Sequence, residues 1–232
     1  VAGLPILPLV LEMAGGGCRV HLNVDDGDEV SEGALLAAME GPARVLLKAE
    51  RVALNFLTHL SGIATLTRAY VRALDGTSTT LLDTRKTMPG LRYPEKYAVR
   101  CGGAKNHRRN LAEMLMLKDN HVDRAGSIAG AVERLRATYS PCPPIEVECR
   151  TLDDVREAAE VRVSRIMFDN MDQGTMREAV DLAGEGIETE ISGGVDLANI
   201  AELGRIGADF ISVGRLTHSA PAADMSLRLS DL

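Results

Sequence analysis

From residue 79 onward, short apolar runs alternate with helical patterns, and this alternation constrains the fold more than any other feature. The apolar runs end near Leu82, Leu117, Val147, Phe168, Ile191 and Val213. The helical patterns between them cover residues 94–101, 128–139, 152–159, 173–183 and 197–207. The last four run ends are 21 to 23 residues apart, close to the minimum for a βαβ unit with parallel strands. We therefore predict a closed or nearly closed parallel α/β barrel, with a doubly wound open sheet as the alternative.

The first 75 residues follow a different pattern. Residues 19–24 and 34–39 predict two paired strands, because acidic residues and a glycine lie between them as in a turn. Gly41-Pro42 then opens a stretch whose apolar residues repeat with a period of 3.6, which predicts a long helix. We expect Ser61-Gly62 to break or bend this helix before a second one that ends near Leu74.

Composition excludes several classes of protein. Of the 232 residues, 45% are apolar and 25% charged, as in soluble globular proteins. Aromatic residues make up only 3%, which argues against a base-stacking surface for nucleic acid. The net charge is −7, yet residues 85–124 hold ten Lys and Arg against four Asp and Glu. A basic segment in an acidic chain predicts a local anion site.

Two further features bear on location. The four cysteines form no C-x-x-C pair, so we expect free thiols in a reducing compartment. The apolar stretch at residues 4–11 is short, contains two prolines and follows no basic region. It therefore predicts neither a signal peptide nor a membrane span, and we expect a cytoplasmic protein.

Polar residues or glycines follow every predicted strand of the barrel. Because sites in parallel α/β folds form at the carboxyl ends of the strands, these residues are expected to converge. They include Thr84, Arg85, Lys86, Lys118, Glu148, Asp169, Ser192, Gly193, Gly194 and Gly214. On the third strand, Glu146 and Glu148 share one face, since side chains alternate with period two.

The basic and glycine residues indicate anion binding. Arg85, Lys86 and Lys118 lie at strand ends, where several cations would repel one another unless an anion binds among them. The alternative is that they are solvated surface charges. Ser192-Gly193-Gly194 and Gly214 follow the last two strands, where barrel enzymes often hold a phosphate on backbone N–H groups. The alternative there is an ordinary turn.

Two acids accompany these cations. Glu148 and Asp169 could bind magnesium, contact ribose hydroxyls or stabilise a developing positive charge. The alternative is that they form salt bridges with neighbouring Arg and Lys. Taken together, the cations, the glycine-rich phosphate loop and the two acids indicate the transfer of a group from a phosphorylated sugar to an anionic acceptor.

Eight segments carry a resemblance to a known family. Asp83–Arg92 is similar to its DTRKT-x-PG segment, Cys101–Arg108 to CGGG-x-NHR, and Leu117–His121 to IKDNH. Glu50–Phe56 resembles ERTALNF, and the segments around Glu148, Asp169, Ser192 and Val213 also match in order. On these motifs the chain resembles the type II quinolinate phosphoribosyltransferases, which join quinolinate to phosphoribosyl pyrophosphate (PRPP) and release carbon dioxide.

The resemblance implies a domain organisation and partners. An α/β sandwich would comprise residues 1–60 and 216–232, and an α/β barrel residues 61–215. The family's N-terminal stretch extends further than the part seen here, so the sandwich is expected to be incomplete. The resemblance also implies a homodimer in which Arg51 completes the neighbouring active site. Quinolinate and PRPP would be the ligands, with no nucleic acid and no membrane as partner.

The resemblance further implies roles for individual residues. Quinolinate and pyrophosphate would contact Arg51, Thr84, Arg85, Lys86, His107, Arg108 and Lys118. Lys86, Lys118, Glu148 and Asp169 would be catalytic, and the last two would face Mg²⁺, the implied cofactor, directly or through water. The 5′-phosphate would bind at Ser192, Gly193, Gly194 and Gly214.

Two departures and two rival functions stand beside this interpretation. Asn110 replaces a usual glycine, and Arg215 a usual small residue after the phosphate loop. Asn tolerates a left-handed backbone, so the first turn can survive.

The nearest rival is a relative with another acceptor, such as a nicotinate-specific transferase or the molybdenum-operon relative. A non-catalytic barrel that senses anionic metabolites is the second, and the acids Glu148 and Asp169 argue against it.

Overall fold

The computed structural model describes residues 1–230. Helices and strands alternate along most of the chain, as the apolar pattern predicts. The helices are α1 (Ile6–Ala14), α2 (Ala43–Ala73), α3 (Arg92–Cys101), α4 (Asp119–Ala125), α5 (Ile128–Thr138), α6 (Leu152–Glu160), α7 (Gln173–Ala183), α8 (Ile200–Gly204) and α9 (Arg215–His218). The strands are β1 (Arg19–Leu22), β2 (Ala37–Glu40), β3 (Thr80–Leu82), β4 (Leu115–Leu117), β5 (Ile145–Cys149), β6 (Arg165–Asp169), β7 (Glu188–Ser192) and β8 (Phe210–Ser212).

Six parallel strands form the larger sheet, in the order β3-β8-β7-β6-β5-β4. Strands β4 to β8 follow one another in sequence, and the first strand, β3, pairs with the last, β8, with Leu82 opposite Ser212. A doubly wound sheet would instead reverse its strand order at a switch point. This strand order therefore confirms the barrel. The edge of β3 that does not pair with β8 forms a parallel bridge from Leu82 to Lys105.

Fully buried aliphatic and aromatic side chains line the central strands. Val147, Ile166, Phe168, Ile191 and Ile211 each have 0% exposure. Helices cover such a sheet, so its strands are near-continuous apolar runs. This burial is why the strands could be located from the sequence.

The N-terminal segment contains a helix that the sequence did not suggest. Pro5 stands at its N-cap and Pro8 within its first turn. Proline is tolerated there because the first backbone N–H groups of a helix have no partner within the helix. Leu7 and Leu11 of α1 pack with α2 in one apolar cluster, against which residues of the antiparallel pair β1–β2 also pack.

The expected break at Ser61-Gly62 is wrong, because α2 runs without interruption through both residues. The Ser61 hydroxyl accepts the Ala2 N–H at 3.0 Å and donates to the Ala2 carbonyl at 3.2 Å. A Cβ at Gly62 would lie 2.1 Å from the Pro221 carbonyl oxygen. These small residues therefore permit close packing at the helix surface and do not end the helix.

Helix α8 is shorter than the pattern over 197–207 suggests. The Asp196 carboxylate accepts the N–H groups of Ala198 and Asn199 at 2.9 and 3.2 Å. A side chain that binds these amides favours a turn over helix at this point. The short helices α4 and α9 were not predicted either.

The chain forms two compact units. The first comprises Val1–Ala69, Lys86–Ala104 and the chain from Arg215, and the second Tyr70–Arg85 with Lys105–Gly214. Compactness alone does not define domains, so the predicted boundaries at residues 60 and 215 stay a prediction. Within residues 1–230, no helix combines the length and apolar character needed to cross a membrane.

Candidate active site

The carboxyl edge of the six-stranded sheet, here called the mouth, gathers most of the predicted site residues. Parallel strands end at the same edge, so the residues that follow them come together. The second compact unit supplies Thr84, Arg85, Arg108, Lys118, Glu148, Asp169, Ser192, Gly193, Gly194 and Gly214. All ten are partly or fully exposed, as ligand-binding residues must be.

Arg85 and Arg108 are two cations whose charges interact. Burial lowers the pKa of the Arg108 guanidinium, and the charge of Arg85 lowers it further. Arg108 Nη1 also donates to the Met114 carbonyl at 2.9 Å, which fixes the side chain. Two neighbouring guanidinium groups favour an anion close to both, since its charge would relieve their repulsion.

Lys118 and Glu148 form an ion pair across the ends of neighbouring strands β4 and β5. The Lys118 side chain is 46% exposed and that of Glu148 only 16%. The salt bridge that the sequence left as an alternative for Glu148 is thus present. It does not remove Lys118 from the mouth, because an ammonium group has three donors and can contact a ligand as well.

Asp169 is oriented by its neighbour Asn170. Asn170 Nδ2 donates to Asp169 Oδ1 at 2.9 Å, and its backbone N–H donates to the Ser192 carbonyl at 3.0 Å. Asn170 has a φ of 52°, a left-handed conformation that Asn tolerates better than most residues. Asn170 therefore joins the carboxylate at the end of β6 to the loop after β7.

That loop comes too close to Asn170 to carry a side chain at Gly193. A Cβ at Gly193 would lie 2.2 Å from Asn170 Oδ1, and the φ of Gly193 is 92°. Gly194 is also left-handed, with φ 63°, and the Ser192 hydroxyl accepts from that of Ser212 at 3.2 Å. Glycines in such conformations leave the backbone accessible to a phosphate.

Beneath the mouth lies the interior cluster, which consists of His107, Glu146, Arg165 and Glu190. His107 Nε2 is 3.0 Å from Glu146 and 3.5 Å from Glu190, and Arg165 Nη1 is 3.0 Å from Glu190. Both glutamates are fully buried. Arg165 also stacks on the Phe210 ring, 4.0 Å from its centroid. Buried charges must be paired, and each of these faces an opposite or hydrogen-bonding group.

His107 stands between two opposing influences. Burial lowers its pKa, but hydrogen bonding to Glu146 and Glu190 raises it to about 9. However, the Arg108 backbone N–H donates to Nδ1 at 2.8 Å, which requires an unprotonated Nδ1. That hydrogen bond places the ring proton on Nε2, towards the carboxylates.

The interior cluster brings together three groups that could ligate a metal, His107, Glu146 and Glu190. A metal would need a bare Nε2, whereas the bond from Arg108 leaves the proton there. The adjacent Arg165 guanidinium already neutralises Glu190. Glu148 and Asp169 suit Mg²⁺ better, because they offer oxygen donors at an accessible edge where water and substrate can complete the coordination.

The remaining predicted residues belong to the other compact unit or face inward. Arg51, exposed on α2, and Lys86 belong to the first compact unit. Both ring nitrogens of His107 face protein groups, so its direct contact with substrate stays a prediction.

Three residues that contact predicted site residues were not identified from the sequence. Asp83 is fully buried and accepts the His107 N–H at 2.8 Å and Asn106 Nδ2 at 2.7 Å. It thereby fixes the segment that carries Arg108. Asn170 and Glu190 are the other two. The Glu188-x-Glu190 spacing inside a strand was the available signal for Glu190, because it aligns two acids on one face.

Comparisons with known proteins agree with this geometry. The models for the N-terminal and C-terminal domains of quinolinate phosphoribosyl transferase match residues 1–61 and 63–228. The probable carboxylating nicotinate-nucleotide pyrophosphorylase of Bacillus subtilis is 45% identical over 226 residues, covering 97% of this chain and 78% of the relative. Its Synechocystis counterpart is 42% identical over 232 residues, covering 99% and 79%.

Solved structures give the same result. NadC from Streptococcus pyogenes superposes with a TM-score of 0.94 at 41% identity, covering 98% of this chain and 80% of that one. The nicotinate-nucleotide pyrophosphorylase from Francisella tularensis gives 0.93 at 36% identity, covering 97% and 80%. With both domain models matched in order and the barrel mouth built as described, this chain belongs to the quinolinate phosphoribosyltransferase family.

Proposed function

We propose that the protein transfers the phosphoribosyl group of PRPP to quinolinate and decarboxylates the product. The products are nicotinate mononucleotide, pyrophosphate and carbon dioxide, a reaction of NAD biosynthesis. The observation that carries this proposal is the composition of the mouth, where cations, two carboxylates and a glycine-rich loop share one edge of the sheet. Each group matches one part of the two substrates.

The cations and the loop bind and orient the substrates. Arg85 and Arg108, with Lys86 and Lys118, contact the carboxylates of quinolinate and the pyrophosphate of PRPP. Guanidinium groups suit carboxylates because they donate two parallel hydrogen bonds. The N–H groups around Ser192, Gly193, Gly194 and Gly214 bind the 5′-phosphate. Holding both substrates in this way brings the pyridine nitrogen to C1 of the ribose.

The carboxylates stabilise the transition state of transfer. The bond from C1 to the pyrophosphate oxygen breaks while the pyridine nitrogen forms its bond to C1. Positive charge develops on the ribose, and Glu148 and Asp169 favour that charge. Mg²⁺, held by Glu148 and Asp169, would neutralise the leaving pyrophosphate. Lys118, paired with Glu148, is placed to keep that carboxylate directed into the mouth.

Decarboxylation follows from the charge on the new nucleotide. Once its nitrogen is quaternary, the ring accepts the electron pair released when the bond to the 2-carboxylate breaks. Carbon dioxide leaves, and the ring carbon then takes up a proton. The enzyme need only hold the ring in place.

A test of the overall reaction is incubation with quinolinate, PRPP and Mg²⁺. We expect carbon dioxide and pyrophosphate in equal amounts. Binding of quinolinate without either product would instead support the non-catalytic sensor.

Acceptor choice separates this function from that of a nicotinate-specific relative. Nicotinate carries one carboxylate, so it would leave part of the cationic site unpaired. An unpaired buried polar group costs about 1–3 kcal/mol, or roughly tenfold to a hundredfold in selectivity. We expect kcat/KM at saturating PRPP to favour quinolinate by at least that factor. Equal values would contradict the dicarboxylate assignment.

The proposal extends to a cytoplasmic homodimer in which Arg51 enters the neighbouring site. Mixing inactive Arg51→Ala subunits with inactive Lys118→Ala subunits then creates one wild-type site per mixed dimer. Random exchange at equal concentrations should restore about a quarter of the wild-type activity. No recovery after proven subunit exchange would contradict a shared site.

A further inference from the structure

The segment Lys86–Leu91, here called the Lys86 segment, belongs to the first compact unit and is held there by several hydrogen bonds. The Thr217 hydroxyl donates to the Lys86 carbonyl at 2.8 Å. Arg92 Nε donates to the Thr87 hydroxyl at 3.2 Å. The Met88 N–H donates to Glu95 Oε2 at 3.2 Å. The backbone that carries Lys86 is therefore held on both sides of Thr87.

Glu95 is the buried member of this arrangement. It lies in the first turn of α3 with 0% exposure, and its Oε1 is 2.8 Å from His59 Nε2 on α2. One carboxylate thus joins a helix of the unit to the backbone of the Lys86 segment. Burying a carboxylate is costly, and an apolar side chain would pack more favourably if packing were its only role.

The position of the segment matters because a misplaced binding group loses much of its effect. A shift of about 1 Å can cost roughly 100-fold in rate, even when its cause lies away from the reacting atoms. Lys86 itself is exposed, and its side chain extends from this backbone. Glu95 holds that backbone two residues further along.

We propose that Glu95 is a positioning residue, which fixes the Lys86 segment through Met88 and so directs Lys86 at the anionic substrates. His59 completes the device by holding the opposite carboxylate oxygen. This inference rests on the proposed function, in which Lys86 contacts substrate. Nothing in the arrangement requires Glu95 to touch a substrate.

The test compares three variants in the full-length chain. Glu95→Ala loses both contacts and is expected to lower kcat/KM for quinolinate by roughly 10- to 100-fold. Glu95→Gln should recover most of this loss, because an amide oxygen can still accept the Met88 N–H. Tyr97→Phe is the matched control: it removes another α3 hydrogen bond, from Tyr97 Oη to Asp26 at 2.8 Å, without touching the segment. Its kcat/KM should stay within about twofold of the wild type.

A double-mutant cycle with Lys86→Ala separates positioning from general damage. If Glu95 acts through Lys86, adding Glu95→Ala to Lys86→Ala should produce little further loss. Losses that multiply, or an unchanged kcat/KM in folded Glu95→Ala, would overturn the assignment.

Where Glu95→Ala does not fold, Glu95→Asp takes its place. Its side chain is one methylene shorter and cannot reach His59 and Met88 together, so a smaller loss is expected; wild-type kcat/KM would overturn the assignment. If the wild-type protein itself did not turn over quinolinate and PRPP, the proposed function would fall, and this assignment with it.

Discussion

The mouth and the interior cluster are both rich in charge, yet they differ in how that charge is balanced. In the interior cluster, His107 and Arg165 face Glu146 and Glu190 at 3.0 to 3.5 Å, and the carboxylates are fully buried. At the mouth, burial and then the charge of Arg85 lower the pKa of Arg108, so like charges lie near one another at an accessible edge. Buried polar groups that face one another support the fold, whereas exposed cations that lie close together are suited to anionic ligands.

The comparison predicts that changes at the mouth affect turnover more than stability. Lys118→Ala should lower kcat/KM by roughly a thousandfold, since it removes a charge that acts on the reacting groups. Its unfolding free energy should change by less than about 1 kcal/mol, because the ion pair with Glu148 is partly exposed. Steady-state kinetics and urea unfolding of the same preparation give both quantities.

Arg109→Ala is the control for Lys118→Ala. Arg109 is also an exposed cation paired with a glutamate, Glu113. It is expected to keep kcat/KM within about twofold of the wild type. Wild-type turnover in Lys118→Ala would remove Lys118 from the site.

The interior cluster should show the opposite behaviour. Glu190→Gln removes the buried charge opposite Arg165 and His107, and should lower the free energy of unfolding by about 3 kcal/mol. Glu188→Gln is the matched control, because Glu188 contacts the same Arg165 but its side chain is 52% exposed. We expect less than about 1 kcal/mol there, by urea denaturation. Equal losses in the two variants would show that burial does not distinguish them.

The phosphate loop provides a test of intermediate size. Gly193→Ala places a Cβ against Asn170 and strains a left-handed backbone. The KM for PRPP should rise roughly 10- to 100-fold while the KM for quinolinate changes little, because the loop and Asp169, which Asn170 orients, are both assigned to PRPP. Gly186→Ala is the control, since Gly186 is also left-handed but a Cβ there meets nothing within 4 Å. A parallel rise in both KM values would contradict a loop specific for PRPP.

The smallest effect is expected away from both regions. The Thr151 hydroxyl accepts the Asp154 N–H at 3.1 Å, and the Asp154 carboxylate accepts the Thr151 N–H at 2.9 Å, which caps α6. Thr151→Ala should cost about 1 kcal/mol of stability and leave kcat/KM unchanged. A thermal melt and a kinetic assay measure both. A lower kcat/KM in Thr151→Ala would contradict the separation of turnover from stability.

Periodicity allowed the prediction of the barrel but not of the contacts inside it. Apolar strands such as Ile145–Cys149 are visible in the sequence because burial on both faces imposes a composition. Ser61-Gly62 does not break the helix, and the sequence could not show this, since a small residue at a crowded helix surface looks the same as a helix breaker until its neighbour, the Pro221 carbonyl, is known.

The mouth and the interior cluster also differed in how far the sequence allowed them to be predicted. Strand order alone brings Lys118, Glu148 and Asp169 to one edge, so the site could be outlined from the sequence. The partners of His107 lie on β5 and β7, about 40 and 80 residues away, and no local pattern links them.

The pairing of β3 with β8 has a consequence for how the chain reaches this structure. Thr80 lies opposite Phe210, 130 residues later in the sequence. During synthesis, the first strand of the barrel must wait for nearly the whole chain before its neighbour exists. Closing so long a loop is entropically costly, and pairings of high sequence separation fold slowly. The barrel should therefore assemble late and cooperatively, with its earliest strand among the last to be secured.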